Sequence, residues 1–159
     1  MDTSRLTQLG SGHSVPFYES PDAAILETFD NPQPERPWVV GLECAEFTSL
    51  CPVTGQPDFG RILIHYIPGP RCVESKSLKL YLGAYRNHGA FQEDCVNRIA
   101  DDLQAGLAAR WLRVFGDFRP RGGIAIRPLA LRTATGLDAA EEQRCLALLA
   151  QWDSMGSLL

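Results

Sequence analysis

From Trp38 onward, apolar and polar positions alternate in short runs separated by turns rich in Pro and Gly. Trp38-Val39-Val40-Gly41-Leu42-Glu43-Cys44 reads as one strand. Arg61 to Ile67 reads as a second, with Ile62, Ile64 and Tyr66 on one face and Arg61, Leu63, His65 and Ile67 on the other. His65 lies between aliphatics on its face and reads as a structural residue. A turn-rich segment, Ser49 through Asp58, joins the two strands, and Pro68-Gly69-Pro70 ends the second. The period then changes. Leu78, Leu82 and Tyr85 recur at helical spacing within Glu74 to Tyr85, where Ser75 can cap the helix. Phe91 to Arg110 predicts a longer helix, with Phe91, Cys95, Ile99, Leu103 and Leu107 at every fourth residue and Val96 and Ala100 widening the stripe. Glu93 and Asp94 occupy its first turn, where the helix dipole favours acids. Trp111 to Phe118 and Gly123 to Arg127 predict two more strands. Asp138 then caps a final helix through about Ala150, with Leu146 and Leu149 facing inward.

The order β-β-α-α-β-β plus a terminal helix predicts an α+β fold, an antiparallel four-stranded sheet with two helices on one side. Such a sheet has two open edges, and open edges invite pairing, so a homo-oligomer that closes the sheets into a barrel is expected. Residues 1–36 are rich in Ser, Pro, Gly, Asp and Asn and end in Asn31-Pro32-Gln33-Pro34-Glu35-Arg36-Pro37. The repeated prolines argue against a central strand or helix there, so this is read as an N-terminal arm on a single domain spanning 37–159. Gly10-Ser11-Gly12 follows no predicted strand, and Val15 stands where a dinucleotide fingerprint needs its third glycine.

Composition narrows the classes. The chain has 159 residues, 45% hydrophobic and 21% charged, enough for one domain with a substantial core. No apolar run is long enough to span a membrane, and Met1-Asp2-Thr3-Ser4 is not the start of a secretory signal, so a cytoplasmic protein is expected. A net charge of −4 disfavours direct nucleic-acid binding. Of the 15 basic residues only Lys76 and Lys79 are lysine, and they share one helix face. No acid follows them in that helix. A positive face near a helix N-terminus suits a phosphate.

Five cysteines stand at positions 44, 51, 72, 95 and 145, with no Cys-x-x-Cys and no histidine at ligand spacing, so neither a disulfide framework nor a metal site is expected. The segment from Glu46 to Phe59 holds a thiol, Cys51, and a carboxyl, Asp58, in a loop stiffened by Pro52, Gly55 and Pro57. A thiolate is a strong nucleophile, and a nearby acid can protonate what it attacks. Glu93, early in its helix, can present a carboxylate to paired N–H donors on a ligand.

Together these segments resemble the QueF-type nitrile reductases of the short, single-module kind. The matching stretches are Glu46 to Phe59, Glu74-Ser75-Lys76-Ser77-Leu78-Lys79-Leu80-Tyr81, Arg86-Asn87-His88-Gly89 with Glu93-Asp94-Cys95, and Pro120-Arg121-Gly122-Gly123. The resemblance spans about residues 40 to 127. It implies a tunnelling fold assembled as two stacked pentamers, with sites between subunits. It implies an enzyme that reduces the nitrile of 7-cyano-7-deazaguanine (preQ0) to the aminomethyl group of preQ1 with two NADPH, towards queuosine in transfer RNA, acting on the free base. Cys51 resembles the nucleophile that forms a covalent thioimide, and Asp58 the general acid. Val73, Glu74, Ser75, Gln92 and Glu93 resemble the substrate-binding positions, and Lys76, Lys79 and Arg121 the NADPH phosphate contacts. Gln92 stands where the family usually has His, so a proton-carrying role at that position falls away and Asp58 takes more of the proton work. In the pocket that the resemblance implies, Cys95, half a helical turn from Glu93, is either within reach of Cys51 for a reversible disulfide or a buried helix residue.

Two other readings share these residues. A zinc-using enzyme of the GTP cyclohydrolase type, on the same fold, would need Cys and His ligands that do not assemble here. A non-catalytic deazapurine-binding oligomer would need neither the Cys/Asp loop nor the lysine pair.

Overall fold

The computed structural model describes residues 18–156. It contains nine principal elements: β1 (Thr28–Asp30), β2 (Val40–Leu50), β3 (Pro57–Ile67), β4 (Arg71–Val73), α1 (Ser75–Gly83), α2 (Gln92–Leu107), β5 (Trp111–Phe118), β6 (Leu129–Thr133) and α3 (Ala139–Gly156). The fold is α+β. A four-stranded antiparallel sheet has the order β2-β3-β5-β6, and β1 and β4 form a separate antiparallel pair. Among the described residues the outer edges of β2 and β6 carry no partner strand.

Alternation along β3 and β5 turns Ile62, Ile64, Tyr66, Leu112, Val114 and Phe118 to one side, where they pack with the buried stripe of α2 and with Leu78, Leu82 and Tyr85. Each fully buried aliphatic or aromatic side chain in that layer contributes about 1.5–3 kcal/mol. Phe91 does not join the stripe. It is the exposed residue before α2, and the helix ends early because Ala108 takes a left-handed conformation, φ 46°.

The sheet differs from the pattern reading in three strands. β3 begins at Pro57 rather than Arg61, so Asp58 lies in the ladder opposite Ser49 and not in a turn. β2 continues past Cys44 to Leu50, because one extra residue between Cys44 and Phe47 forms a bulge and pairing then resumes. Leu42 and Cys44 face the core before the bulge; Phe47 and Ser49 face it afterwards. The fourth strand is Leu129–Thr133, not Gly123–Arg127. Gly122 and Gly123 both have positive φ, 58° and 85°, and close a tight turn bridged by Arg121 and Ile124. Pro128 has no N–H to give the ladder, so regular pairing starts only after it.

Two helix boundaries also shift. Glu74, not Ser75, caps α1: its carboxylate accepts from the N–H groups of Lys76 and Ser77 at 2.8 and 2.7 Å. Asp138 caps α3 as expected, accepting from the Glu141 N–H. That helix runs on to Gly156, and Leu146 is 49% exposed; Cys145 takes the inward place beside Leu149. α3 lies on the sheet face opposite α1 and α2, where Cys145 and Leu149 pack with Ile67, Trp111 and Val39. His65 is structural there. It accepts from Arg113 Nε at 2.9 Å and stacks edge-on with Trp152, while Arg113 also pairs with Asp153. Of the arm, residues 1–17 lie outside the described residues. Thr28–Asp30 pairs with Arg71–Val73, and Asn31 is tied to Gly69 and Pro70, which joins the arm to the domain.

Candidate active site

Cys51 follows the last residue of β2 and opens the tight connection to β3. Its N–H donates to the Gln56 carbonyl at 2.8 Å and its carbonyl accepts from Gly55 at 2.9 Å, a turn that Gly55 permits with φ 67°. Leu50 and the segment before α2 hold the loop from the other side: Leu50 donates to the His88 carbonyl, and Ala90 donates to that of Leu50. The Arg86-Asn87-His88-Gly89 stretch therefore braces the cysteine loop.

Cys51 is 8% exposed, and its thiol is set among donors. The Thr54 hydroxyl, then the backbone N–H groups of Thr54 and Val53, and then Arg121 stabilise the thiolate and bring the Cys51 pKa down to about 6. A pKa of about 6 leaves the thiol mostly ionised at neutral pH.

Asp58 lies opposite Ser49 in the β2–β3 ladder and points into the core side, 3% exposed. Gln92 Nε2 donates to its Oδ1 at 2.9 Å, and Arg121 Nε lies 3.0 Å from the same oxygen. Gln92 belongs to the first turn of α2, and Arg121 to the glycine turn after β5, so three separated stretches converge on one carboxylate. Arg121 also hydrogen-bonds the Cys51 thiolate and thereby links it to Asp58. This is where the structure sets Arg121, beside both of these groups. Its side chain remains 41% exposed.

Cys95, fully buried on α2, is a free thiol like Cys51. Burial pushes its pKa up to about 11. The two cysteines are thus chemically unlike.

The remaining predicted positions form a second group. Val73 ends β4, buried, with its N–H donated to the Tyr66 hydroxyl. Glu74 is spent on the α1 cap. Ser75 and Lys79 line a groove of about 410 Å³ between α1 and the β2 edge, with Arg86 at its end. Neither Cys51 nor Asp58 lines it. Cationic side chains at the start of a helix fit a phosphate group. Lys76, half-buried, is on the same helix. Glu93 is exposed, in a shallow hollow with Phe91, Asp94 and Asn97. Arg86 went unrecognised as a groove residue in the sequence; its place became visible only when α1 lay beside β2. Among the described residues no cluster of three or more His, Cys, Asp or Glu side chains could hold a metal ion.

An α+β sheet carrying an activated thiol beside a buried carboxylate defines a candidate cysteine-dependent enzyme, and comparison with known proteins specifies its family. A model of the QueF-like protein family matches residues 57–135. The NADPH-dependent 7-cyano-7-deazaguanine reductase of Helicobacter pylori (strain P12) is 48% identical over 91% of this chain and 97% of its own length. That of Neisseria gonorrhoeae (strain NCCP11945) is 59% identical over 67% of this chain and 68% of its own length. The archaeosine synthase QueF-Like, in its apo form, shares the fold at a TM-score of 0.57 and 18% identity, covering 65% of this chain and 100% of its own. The chain belongs to the family of NADPH-dependent 7-cyano-7-deazaguanine reductases.

Proposed function

We propose that this protein reduces the nitrile of preQ0 to the aminomethyl group of preQ1, consuming two NADPH. The observation that carries the reading is the contact of Arg121 with both Cys51 and Asp58, in a chain about half identical to reductases of that name. A nitrile is a poor hydride acceptor. Addition of the Cys51 thiolate to its carbon, with a proton delivered from Asp58 to its nitrogen, makes a thioimide whose carbon is electrophilic. NADPH supplies the hydride at each of the two reductions. Cys51 leaves after the first, and an imine is reduced in the second.

Lys76 and Lys79 hold the cofactor's phosphates, with the exposed part of Arg121 as a third contact. Val73, Glu74, Ser75 and Glu93 bound the substrate, Glu93 through the N–H edge of the base, and Gln92 belongs to the same pocket through Asp58. The lysine groove and the Cys51–Asp58 pair occupy separate surfaces of one chain, which supports sites built between copies. We therefore propose a homo-oligomer, two stacked pentamers joined through the β2 and β6 edges, acting in the cytoplasm on the free base without touching nucleic acid. Residues 37–159 act as one catalytic domain and residues 1–36 as an arm.

The test adds preQ0 to the purified protein and follows an adduct-sized mass gain with a new near-ultraviolet band. Both vanish in Cys51→Ala. Normal preQ0-dependent NADPH oxidation by Cys51→Ala would defeat the covalent mechanism.

A further inference from the structure

Two groups hold Asp58, and both meet it at one oxygen. Gln92 Nε2 donates to Oδ1 at 2.9 Å, and Arg121 Nε lies 3.0 Å from that same Oδ1. Gln92 is itself 4% exposed, and its Oε1 is buried with no hydrogen-bond partner. Facing Arg121, Oδ1 carries no proton and can only accept, so it turns the amide to face it with its donor end and leaves the amide oxygen orphaned. Leaving a buried acceptor unpaired is unfavourable, and the side chain adopts that arrangement to serve Asp58.

Resting on the nitrile-reductase reading, we infer that Gln92 is a positioning residue for Asp58. With Arg121 it fixes Oδ1 as the accepting oxygen that carries no proton, and it leaves Oδ2 to carry the proton that passes to the nitrile nitrogen. The balance of the step requires such a carrier, because Cys51 attacks as the thiolate. S–C and N–H bonds form, the Oδ2–H bond of Asp58 breaks, and C≡N becomes C=N with no electron supplied from outside. The proton lost by Oδ2 is the one gained by nitrogen. An unrestrained carboxyl group rotates between its oxygens, whereas two contacts on Oδ1 keep Oδ2 in one orientation for the transfer. An amide suits this task because it holds the acid without taking up the proton itself.

The inference separates Gln92 from a substrate-binding role, and two variants decide between them. Gln92→Glu keeps the shape and the acceptors but loses the donor when ionised. Gln92→His restores an N–H donor. The charged and titratable neighbours of Asp58 are Arg121, Cys51 and Cys95, with Glu93 and Asp94 on the same turn of α2; all are retained in both variants.

Thioimide formation is timed by its absorbance after rapid mixing with preQ0. Affinity for preQ0 is measured by calorimetry in a Cys51→Ala background. Loss of a hydrogen bond to a charged group slows Gln92→Glu about tenfold to a hundredfold, with preQ0 affinity altered by less than about threefold. Relative to the unsubstituted protein, the deficit shrinks as pH falls and the introduced carboxyl regains its proton. Gln92→His runs at least about fivefold faster than Gln92→Glu at neutral pH. A weakened preQ0 affinity with an undiminished rate of thioimide formation would overturn the inference, as would a deficit that does not change with pH. No adduct in the unsubstituted protein would overturn the nitrile-reductase reading, and this inference with it.

Discussion

Arg121 reaches across the end of the sheet to lie 3.0 Å from the Asp58 carboxylate while hydrogen-bonding the Cys51 thiolate. The guanidinium thus joins the two groups through one side chain, itself still partly exposed.

The first consequence concerns the reactivity of Cys51. Its pKa of about 6 makes it mostly thiolate at pH 7, whereas burial keeps Cys95 protonated. Alkylation by iodoacetamide at pH 7, mapped by mass spectrometry, labels Cys51 ahead of the other cysteines, with a rate that rises through a midpoint near pH 6. Thr54→Val removes the strongest of the stabilising donors and moves that midpoint up towards the ordinary thiol value of about 8.5. The sign for stability follows. A folded pKa below the unfolded one stabilises the fold fully at alkaline pH, and the contribution is lost as pH falls through about 6. Equal labelling of Cys51 and Cys95 would refute this assignment.

Arg121 and Lys79 separate kinetically. Arg121→Met loses the contact to both reacting groups and lowers kcat by about a hundredfold, with the alkylation midpoint of Cys51 shifted upward. Lys79→Ala loses a charge-assisted contact to phosphate, and its defect falls mainly in the KM for NADPH, about tenfold. Steady-state kinetics at varied NADPH distinguishes them; a pure KM effect in Arg121→Met would assign that residue to the cofactor alone.

Glu74 and Glu93 separate by stability. Glu74 accepts two backbone N–H groups at the start of α1 and is buried, so Glu74→Ala destabilises the ligand-free protein by about 2 kcal/mol. For a chain of this size that lowers the melting temperature by about 4–8 °C. Glu93→Ala, at an exposed site, changes stability by less than about 0.5 kcal/mol, yet weakens preQ0 binding about tenfold or more. Thermal denaturation without ligand reads the first effect and calorimetry the second. A Glu74→Ala protein that melts like the parent would show the cap to be dispensable.

The glycine turn that carries Arg121 gives a backbone test. Gly122 and Gly123 have φ of 58° and 85°, and a Cβ added at either meets nothing within 4 Å. Alanine there costs about 1–2 kcal/mol per position from the left-handed backbone alone. The double substitution should reduce thioimide formation further than its melting temperature suggests, because it moves Arg121 away from Asp58. Full activity in the double variant would show that Arg121 reaches its place without the turn.

Period and composition alone made the two core helices legible: Leu78, Leu82, Cys95, Ile99, Leu103 and Leu107 are buried where spacing put them. The faces of β3 were legible as well, since strict alternation needs no knowledge of a partner. The lysine pair and the Cys51–Asp58 loop stood out as motifs, and with them the family. Where a strand departs from alternation, only tertiary structure decides. The bulge between Cys44 and Phe47 reverses which residues of β2 face the core, and so brings Ser49 and Asp58 together beneath α2. The Gly122–Gly123 turn also sets Arg121 beside Asp58 and Cys51, a contact that the resemblance, which matched it to a cofactor phosphate, did not reveal. Gln92 looked like a substituted ligand in the sequence and becomes, in the fold, a donor to Asp58. Periodicity records how each element meets a surface one turn or one pleat at a time. The site instead depends on a one-residue offset and on two glycine dihedrals, which carry no periodic signal and acquire meaning only when distant strands are in register.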